Sequence, residues 1–576
     1  MADTPNTPIQ PGKSGKGELS METRLLLAFL LMGLVLFITP YIYKPPPPPK
    51  KPVTPPATTQ QTTQPAASQQ KKPETAATTP TPAPGQIQAS AEQEFTIDTD
   101  IYKVRFSNRG AVVRSWVLKK YLDHAGKPLD LVNPASFSKV APPFALVLPD
   151  EQSSNTVNFG LYSAKPAANN LGIEYEFSDG KIYAKKTFEF TKIGYLSQVS
   201  TEVTKNGEPT AHLIEWRGGF GDSTVVGRLA EQHAVYFDLA QSGGKLVNKD
   251  AKSVKDGPAI SSGNYSFAGL DDRFFAFVFL PKDAASIKIE ALKDDVPVAA
   301  GGKDEMHVGV QVGGDSANRM TVFVGPKDVD LLRKVDPRLQ QLIDWGFFGV
   351  IAKPTFLILH WMNDNLFHNY GWSIVGITVL INLVLLPLRL SSLKSQKKMT
   401  ALQPQIAAIN AKYKGLSIRD PKKQEQNQEI MDLYKKAGAN PMSGCLPMLI
   451  QLPLLYAFYK VLTVTIELRG AHWMWITDLS QPEQLAIHIL PIVMVISQFV
   501  MQKMTPNPSV DPAQAKMMQF MPLMFGFFFY SVSSGLVLYW LTGNLVGILQ
   551  QWVINRTMPV PVVEAPKVVP KRKARG

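Results

Sequence analysis

The chain has 576 residues, 46 prolines, one cysteine and a formal net charge of +13. A lone Cys445 excludes an intrachain disulfide and any CxxC metal framework. The basic excess sits beside apolar runs and in the tail KVVPKRKARG. Membrane topology and anionic headgroups account for it without recognition of a specific nucleic-acid sequence.

The mean hydropathy of −0.05 hides two populations, a polar first part and an apolar last third. Residues 1–24 read as a cytoplasmic N-terminus. Residues 25–43, LLLAFLLMGLVLFITPYIY, form the first apolar run behind Arg24. No A-x-A-like cleavage site follows it, so an uncleaved transmembrane anchor is expected rather than a removed signal peptide. Residues 44–93 are Pro, Thr, Gln and Ala, too poor in large apolar side chains to offset chain entropy, and read as a tether.

From 94 to 330 the pattern changes to alternation with β-branched and aromatic residues, as in KIYAKKTFEFT and RFFAFVFL, punctuated by Gly, Asn and Asp. That predicts a large antiparallel β-sandwich held by an ordinary core. A carbohydrate-active sandwich would draw on Asp271, Asp272 and His307. Nothing pairs them by spacing, so they are read as scattered surface residues.

Residues 331–371 are helical and aromatic. Lys353-Pro354 splits the stretch 345–362 into halves too short to cross a bilayer, which predicts an interfacial amphipathic helix with Trp345, Trp361, Tyr370 and Trp372 at headgroup level. Five further spans are expected at about 372–390, 445–464, 485–504, 517–532 and 536–555, all within residues 372–556. With the anchor that makes an α-helical polytopic protein of six transmembrane helices. From Arg389 to Lys436 the chain has eleven Lys or Arg against four acidic residues. Positive loops are retained in the cytoplasm, so both termini fall inside and the β-domain outside. The tail 557–576 is then cytoplasmic as well.

The basic segment 391–443 is itself patterned. Met399, Leu402, Ile406, Ile409 and Tyr413 form one helical stripe, and Ile430, Leu433, Tyr434 and Ala437 a second. Pro404 predicts a kink or restart. Two short helices make a hairpin bearing Lys397, Lys398, Lys412, Lys414, Lys422 and Lys423, either a solvated spacer or a docking platform.

Polar residues within the spans are few: Thr378, Asn382, Gln451, Ser497, Gln498, Ser531, Thr542 and Asn544. They either join helices by hydrogen bonds or line a shared wet cavity. No Asp or Glu lies in the spans that follow the β-domain, which weighs against an ion-coupled transporter. Walker A, GxSxG and HExxH motifs are absent, so no enzyme and no cofactor or metal is expected.

The segments YGWSI (370–374), LQPQI (402–406), NPMSGCLPMLIQLPLLYAFY (440–459), ELR (467–469), ILPIVM (489–494), QKM (502–504), FMP (520–522) and SGLVLYW-x3-N (534–544) resemble the YidC/Oxa/Alb membrane-protein insertases. The anchor, tether and external β-domain look like the Gram-negative form. The resemblance implies an insertase and chaperone of the bacterial inner membrane, working alone or with the Sec translocon. Its partners would be nascent membrane proteins and the lipid bilayer, with the ribosome a candidate. A hydrophilic groove in a five-helix core would receive a client's polar flank, lined by the eight polar residues above. The client's apolar segment would slide along the third and fifth spans, here Leu449, Leu452, Met521, Met524, Phe525 and Phe528. In one respect the chain departs from the pattern: the family's groove Arg aligns with Asn382. Arg389, two turns on, is read as too shallow to substitute. The alternative function is a multispanning transporter of a small or lipid-linked substrate, and a third is a polysaccharide-binding membrane enzyme.

Overall fold

The computed structural model describes residues 85–557, apart from 124–125, 225–231, 241–242, 282–285, 300, 414–421, 439–445, 506–519, 521 and 525. The anchor, most of the tether and the tail lie outside the described residues. Residues 87–93 already belong to the β-domain: Ile87 and Ala89 donate backbone N–H groups to Ser178 and Leu161 at 2.9 and 3.0 Å.

The β-domain is an antiparallel sandwich. One layer is a four-stranded sheet running Glu94–Asp98, Tyr102–Ser107, Val112–Leu122 and Pro128–Asp130. The other is a 14-stranded sheet whose central strands include Ile182–Phe190, Leu196–Lys205, Ala317–Pro326 and Phe275–Pro281. Alternating apolar residues put Val104, Phe106 and Trp116 of the first layer against Phe144, Phe188 and Trp216 of the second. Phe106 and Phe188 pack with ring centroids 4.8 Å apart. Burial of these large rings supplies the cohesion that disulfides give in smaller exported domains. One cation is sealed inside: Lys186 donates Nζ to the carbonyls of Gly110 (2.7 Å), Ala111 (3.2 Å) and Phe144 (2.7 Å). Burial pushes its pKa down to about 7.

Asp271, Asp272 and His307 are buried rather than scattered on the surface. Asp271 accepts from Lys327 Nζ at 2.9 Å. Asp272 accepts the N–H groups of Phe274 and Phe275 at 2.7 and 2.6 Å, and burial raises its pKa to about 6. Single-sequence spacing missed them because Asp271 is satisfied by a partner distant in sequence and Asp272 by a local turn, while His307 meets Gln232 at 3.3 Å through Nδ1 and leaves Nε2 without a partner. The arrangement is structural.

The outer face of the large sheet is apolar too. Val235, Phe267, Val278 and Phe323 share a core with Leu332, Leu339, Leu342 and Ile343, and that core runs on into the helical region. After the helices α1 (Glu151–Phe159) in the sandwich and α2 (Val329–Val335), α3 spans Gly349–Met362. It continues through Pro354 instead of breaking there, contrary to the sequence expectation. The carbonyl deprived of a donor is that of Val350, a residue 89% exposed, so the loss falls on the open side of the helix. α3 buries Ala352, Phe356 and Leu359, while Val350, Leu357, Ile358 and Trp361 are exposed. Both faces are therefore apolar, one packed on the protein and one left open. A turn at Asn363–Phe367 leads to α4, Tyr370–Val384, bent by 117° from the preceding helix pair member. Asn369 caps α4 by accepting from Trp372 N at 3.2 Å.

α4 runs through Leu385 into α5, Leu386–Ala401, because Arg389 N still reaches Leu385 O at 3.0 Å. The helix then restarts as α6, Gln403–Lys412, with Pro404 in its first turn. α7 is Lys422–Lys436, α8 Leu446–Val464, α9 Ile489–Met504 and α10 Ser534–Thr557. Among the described residues, α10 alone is long and apolar enough on its own to cross a membrane, with the bent pair at 349–384 a second candidate.

Candidate functional site

α10 is the spine of the helical region, and one polar contact after another leaves it for a neighbouring helix. Tyr539 accepts at its hydroxyl from Gln451 of α8 at 3.0 Å, and its ring stacks on Phe458 at 4.2 Å. Trp540 donates its indole N–H to Gln498 of α9 at 3.2 Å. Asn544 donates to the Ser497 hydroxyl at 2.9 Å. Gln550 accepts from Arg389 at 2.9 Å and, more loosely, donates to the Asn382 carbonyl at 3.5 Å. The Ile554 carbonyl accepts from Lys397 at 3.2 Å. The contacts leave α10 at 539, 540, 544, 550 and 554, which at about 100° per residue fall within roughly 140° of its circumference, so these groups form a track along one side of α10.

Most of the predicted polar residues lie on that track, and the structure assigns each its partner. Thr378 and Thr542 are buried and bond back to their own helices, to Ile374 O (2.6 Å) and Leu538 O (2.8 Å). Asn382 donates its side-chain amide N–H to Thr378 O at 2.8 Å, while its backbone carbonyl accepts from Gln550 at 3.5 Å. Gln451, Ser497, Gln498 and Asn544 make interhelical bonds. Ser531 does not join the group. It is exposed in the turn before α10, and Ser534 to Gln550 alone spans about 24 Å of helix.

On the apolar side, Leu452 (37%), Met524 (68%) and Phe528 (48%) are exposed. Phe527, at 89%, is the most open of this group. Met521 and Phe525 lie outside the described residues, as does the side chain of Leu449.

The two stripes of the basic segment meet as a hairpin: Met399, Leu402 and Ile406 pack with Ile430, Leu433, Tyr434 and Ala437. Lys412 pairs with Glu429 at 2.5 Å, and Lys398 reaches Gly438 O at 3.5 Å. Lys397 departs from its expected place on an open basic face. It is 5% exposed and anchors α5 to the end of α10. Lys422 is exposed on α7, whereas Lys414 and the side chain of Lys423 lie outside the described residues.

At the opposite end, the loop 465–484 joins the helices to the sandwich. Arg469 bonds Asp222 at 2.5 Å, with both side chains under 10% exposed, and also reaches Leu122 O at 2.8 Å. Its guanidinium lies over the rings of Phe274 and Phe275. Arg273 donates to the Thr463 carbonyl at the end of α8. Glu467 is half-buried next to this clamp, with its carboxyl oxygens sealed from solvent. Neither of its carboxyl oxygens has a hydrogen-bond partner, and burial, reinforced by Asp328, raises its pKa to about 7.

These features define a helical membrane protein with a polar track inside its bundle and an antiparallel sandwich clamped to one end. Two family models match it: the YidC periplasmic domain over residues 94–358 and the 60Kd inner membrane protein over residues 361–561. The membrane protein insertase YidC of Ralstonia nicotianae is 32% identical over 519 residues, covering 84% of this chain and 87% of the relative. That of Geotalea daltonii is 31% identical over 557 residues, covering 94% and 100%. A crystal structure of an active YidC insertase with its first transmembrane domain resolved aligns at a TM-score of 0.35 and 19% identity, covering 81% and 93%. A galactose mutarotase-like protein from Lactobacillus casei aligns over 41% of the chain at a TM-score of 0.29 and 9% identity. The chain belongs to the YidC family of membrane protein insertases. It is an inner-membrane protein with a periplasmic domain, and its activity is the insertion of membrane proteins.

Proposed function

We propose that insertion proceeds along the polar track of α10. The observation that carries this reading is a chain of uncharged polar contacts between α4, α8, α9 and α10 in a bundle whose helices contain no carboxylate. A client's polar flank entering there exchanges hydrogen bonds with Asn382, Gln451 and Gln550, while its apolar segment moves over Leu452, Met524, Phe527 and Phe528 into lipid. Bringing polar groups into the bilayer shortens the hydrocarbon path, which lowers the cost of moving a hydrophilic tail across. Adaptable Met and Phe side chains suit clients of varied sequence.

The domain plan that goes with it has an anchor at 25–43, a tether from 44 to about 86, a sandwich that begins at 87 and runs to 330, an interfacial region at 331–371, a core at 372–556 and a basic tail. Six spans with both termini inside agree with the position of the basic hairpin 391–443. The hairpin packs on itself, so its exposed basic face, without Lys397, suits a ribosome, a lipid surface or the Sec translocon. No chemical step is assigned to any residue.

Purified full-length protein in liposomes, supplied with small one- and two-span clients, tests the reading. Protease protection of the client's translocated flank should rise well above that in protein-free liposomes. Equal protection in both would refute it.

A further inference from the structure

We infer that the turn Trp473–Ile476 is a lipid anchor in the outer leaflet, with Met474 and Trp475 set at the boundary between phospholipid headgroups and acyl chains. The inference stands on the inner-membrane placement of the chain and not on the route a client takes. The turn is the tip of the loop after α8, and Arg469 of the same loop binds the periplasmic sandwich. Trp473 and Ile476 exchange both backbone hydrogen bonds, at 2.9 and 2.8 Å, so Met474 and Trp475 form a closed two-residue turn. Met474 has a φ of 50°, in the left-handed region. A side chain there crowds the following carbonyl, and glycine fills such a position without that cost. Here it is instead a methionine, 64% exposed. The backbone is strained to present an apolar side chain outward.

The rings around it are held from behind. Trp473 is buried against Gly371, where a Cβ would stand 2.2 Å from its Cδ1. It packs edge-on to Trp372 with ring centroids 5.6 Å apart, and lies 6.0 Å from the ring of Trp475. Trp475 donates its indole N–H to Glu483 Oε1 at 2.8 Å. The other oxygen of that buried carboxylate accepts Leu490 N at 2.7 Å in the first turn of α9. The one polar group of the Trp475 side chain is thus satisfied inward. Trp475 and Trp372 stay 43% and 44% exposed, with Trp473 between them.

Lipid is the occupant this tip fits. None of the exposed residues from 472 to 487 is Asp, Glu, Lys or Arg, so the tip carries nothing that selects a charged partner or an anionic headgroup. Ile487 continues the exposed apolar surface, and Ile489, Ile492, Val493 and Ile496 extend it down one face of α9. In an inner-membrane protein that face meets acyl chains, and Glu483 fixes Trp475 at its outer end. Indole rings, apolar over most of their surface, settle at the level of the headgroups.

The test uses full-length protein in liposomes, with Cys445→Ser and a nitroxide on Met474→Cys or, as a control on the exposed sandwich, on Glu208→Cys. The label at 474 should be relaxed by oxygen and shielded from a water-soluble nickel chelate, at a depth of about 5–10 Å. The label at 208 should be open to nickel. Depth at 474 should be the same in zwitterionic vesicles and in vesicles containing phosphatidylglycerol. Met474→Gly separates the side chain from the turn. It relieves the backbone, so Tm in detergent should hold or rise. In liposomes, however, a label on Ile487→Cys should gain nickel accessibility about two- to threefold as one apolar contact with lipid is lost. Met474→Leu should leave that label shielded. A 474 label as open to nickel as the 208 label would overturn the inference, as would a 487 label that Met474→Gly does not move. A 474 label open in liposomes and shielded only in native membrane vesicles would give the tip to a protein partner and overturn it too.

Discussion

Arg469 and Asp222 form a 2.5 Å ion pair between the loop after α8 and the sandwich, with 8% and 4% of their side chains exposed. The sandwich is therefore fastened to the helical region by more than its tether. The outer sheet face adds an apolar contact to Leu332, Leu339 and Leu342. Removing one partner of a buried pair strands the other charge at a cost of about 3–5 kcal/mol. Arg469→Ala and Asp222→Ala should each loosen the junction, read as faster proteolysis between residues 326 and 349 and a lower Tm. The Arg469→Met/Asp222→Leu double variant should be less destabilised than either.

Glu467 should make the junction pH-dependent. Its folded pKa of about 7 lies above the usual 4.5, so the unfolded state ionises first as pH rises. The favourable protonated state is fully present below about 4.5, and stability falls through the window from about 4.5 to about 7. The loss is on the order of 3 kcal/mol at full ionisation. Glu467→Gln should flatten the Tm–pH curve across that window. A curve of unchanged slope would place the titrating group elsewhere.

Gln451 and Tyr539 should be coupled modestly. Interhelical hydrogen bonds in membranes average about 0.6 kcal/mol in double-mutant cycles, with a maximum near 1.7. Gln451→Leu and Tyr539→Phe should together give a coupling in that range by reversible unfolding in mixed micelles. If the track admits clients at this level, both variants should also slow insertion by more than their stability loss explains.

The basic hairpin should be separable from the bundle. Its apolar contacts close on themselves around Met399, Leu402 and Ile406, and the nearby tie to α10 is made by Lys397, outside the loop proper. Deleting residues 403–436 should leave Tm within a few degrees of the parent while reducing client delivery in a coupled translation assay. A collapse in Tm would show that the hairpin braces the spans.

Much of this was readable from residue order. Period-two alternation marks the strands of the sandwich, and the two stripes around Pro404 and Gly438 mark the hairpin. Local patterns were enough because strand faces and helix faces are local properties. The pairing of Arg389 with Gln550 and of Arg469 with Asp222 joins positions more than 150 residues apart, and no periodicity encodes such a contact. Pro354 misled for a related reason: its cost depends on whether the orphaned carbonyl of Val350 is sealed in or left open. Asp271 and Asp272 looked like surface groups because a buried carboxylate declares itself only through partners such as Lys327.

The backbone bonds at the top of α10 carry a mechanical consequence. Ser534 and Gly535 donate to Gln481 and Leu479 of the periplasmic-side loop at 2.7 and 2.9 Å, and Asn369 at the head of α4 donates to His472 O of the same loop at 2.9 Å. Two helices are thus pinned at one end by a common strap, while at the other end the described hydrogen bonds of α10 with α4 and α5 each use a long side chain, Arg389, Lys397 or Gln550. Such a pair should open like tongs, with the pivot on the periplasmic side and the greatest travel near Gln550. Spin labels near residues 371 and 535 should hold one distance while a client is threaded, and labels near 390 and 553 should spread.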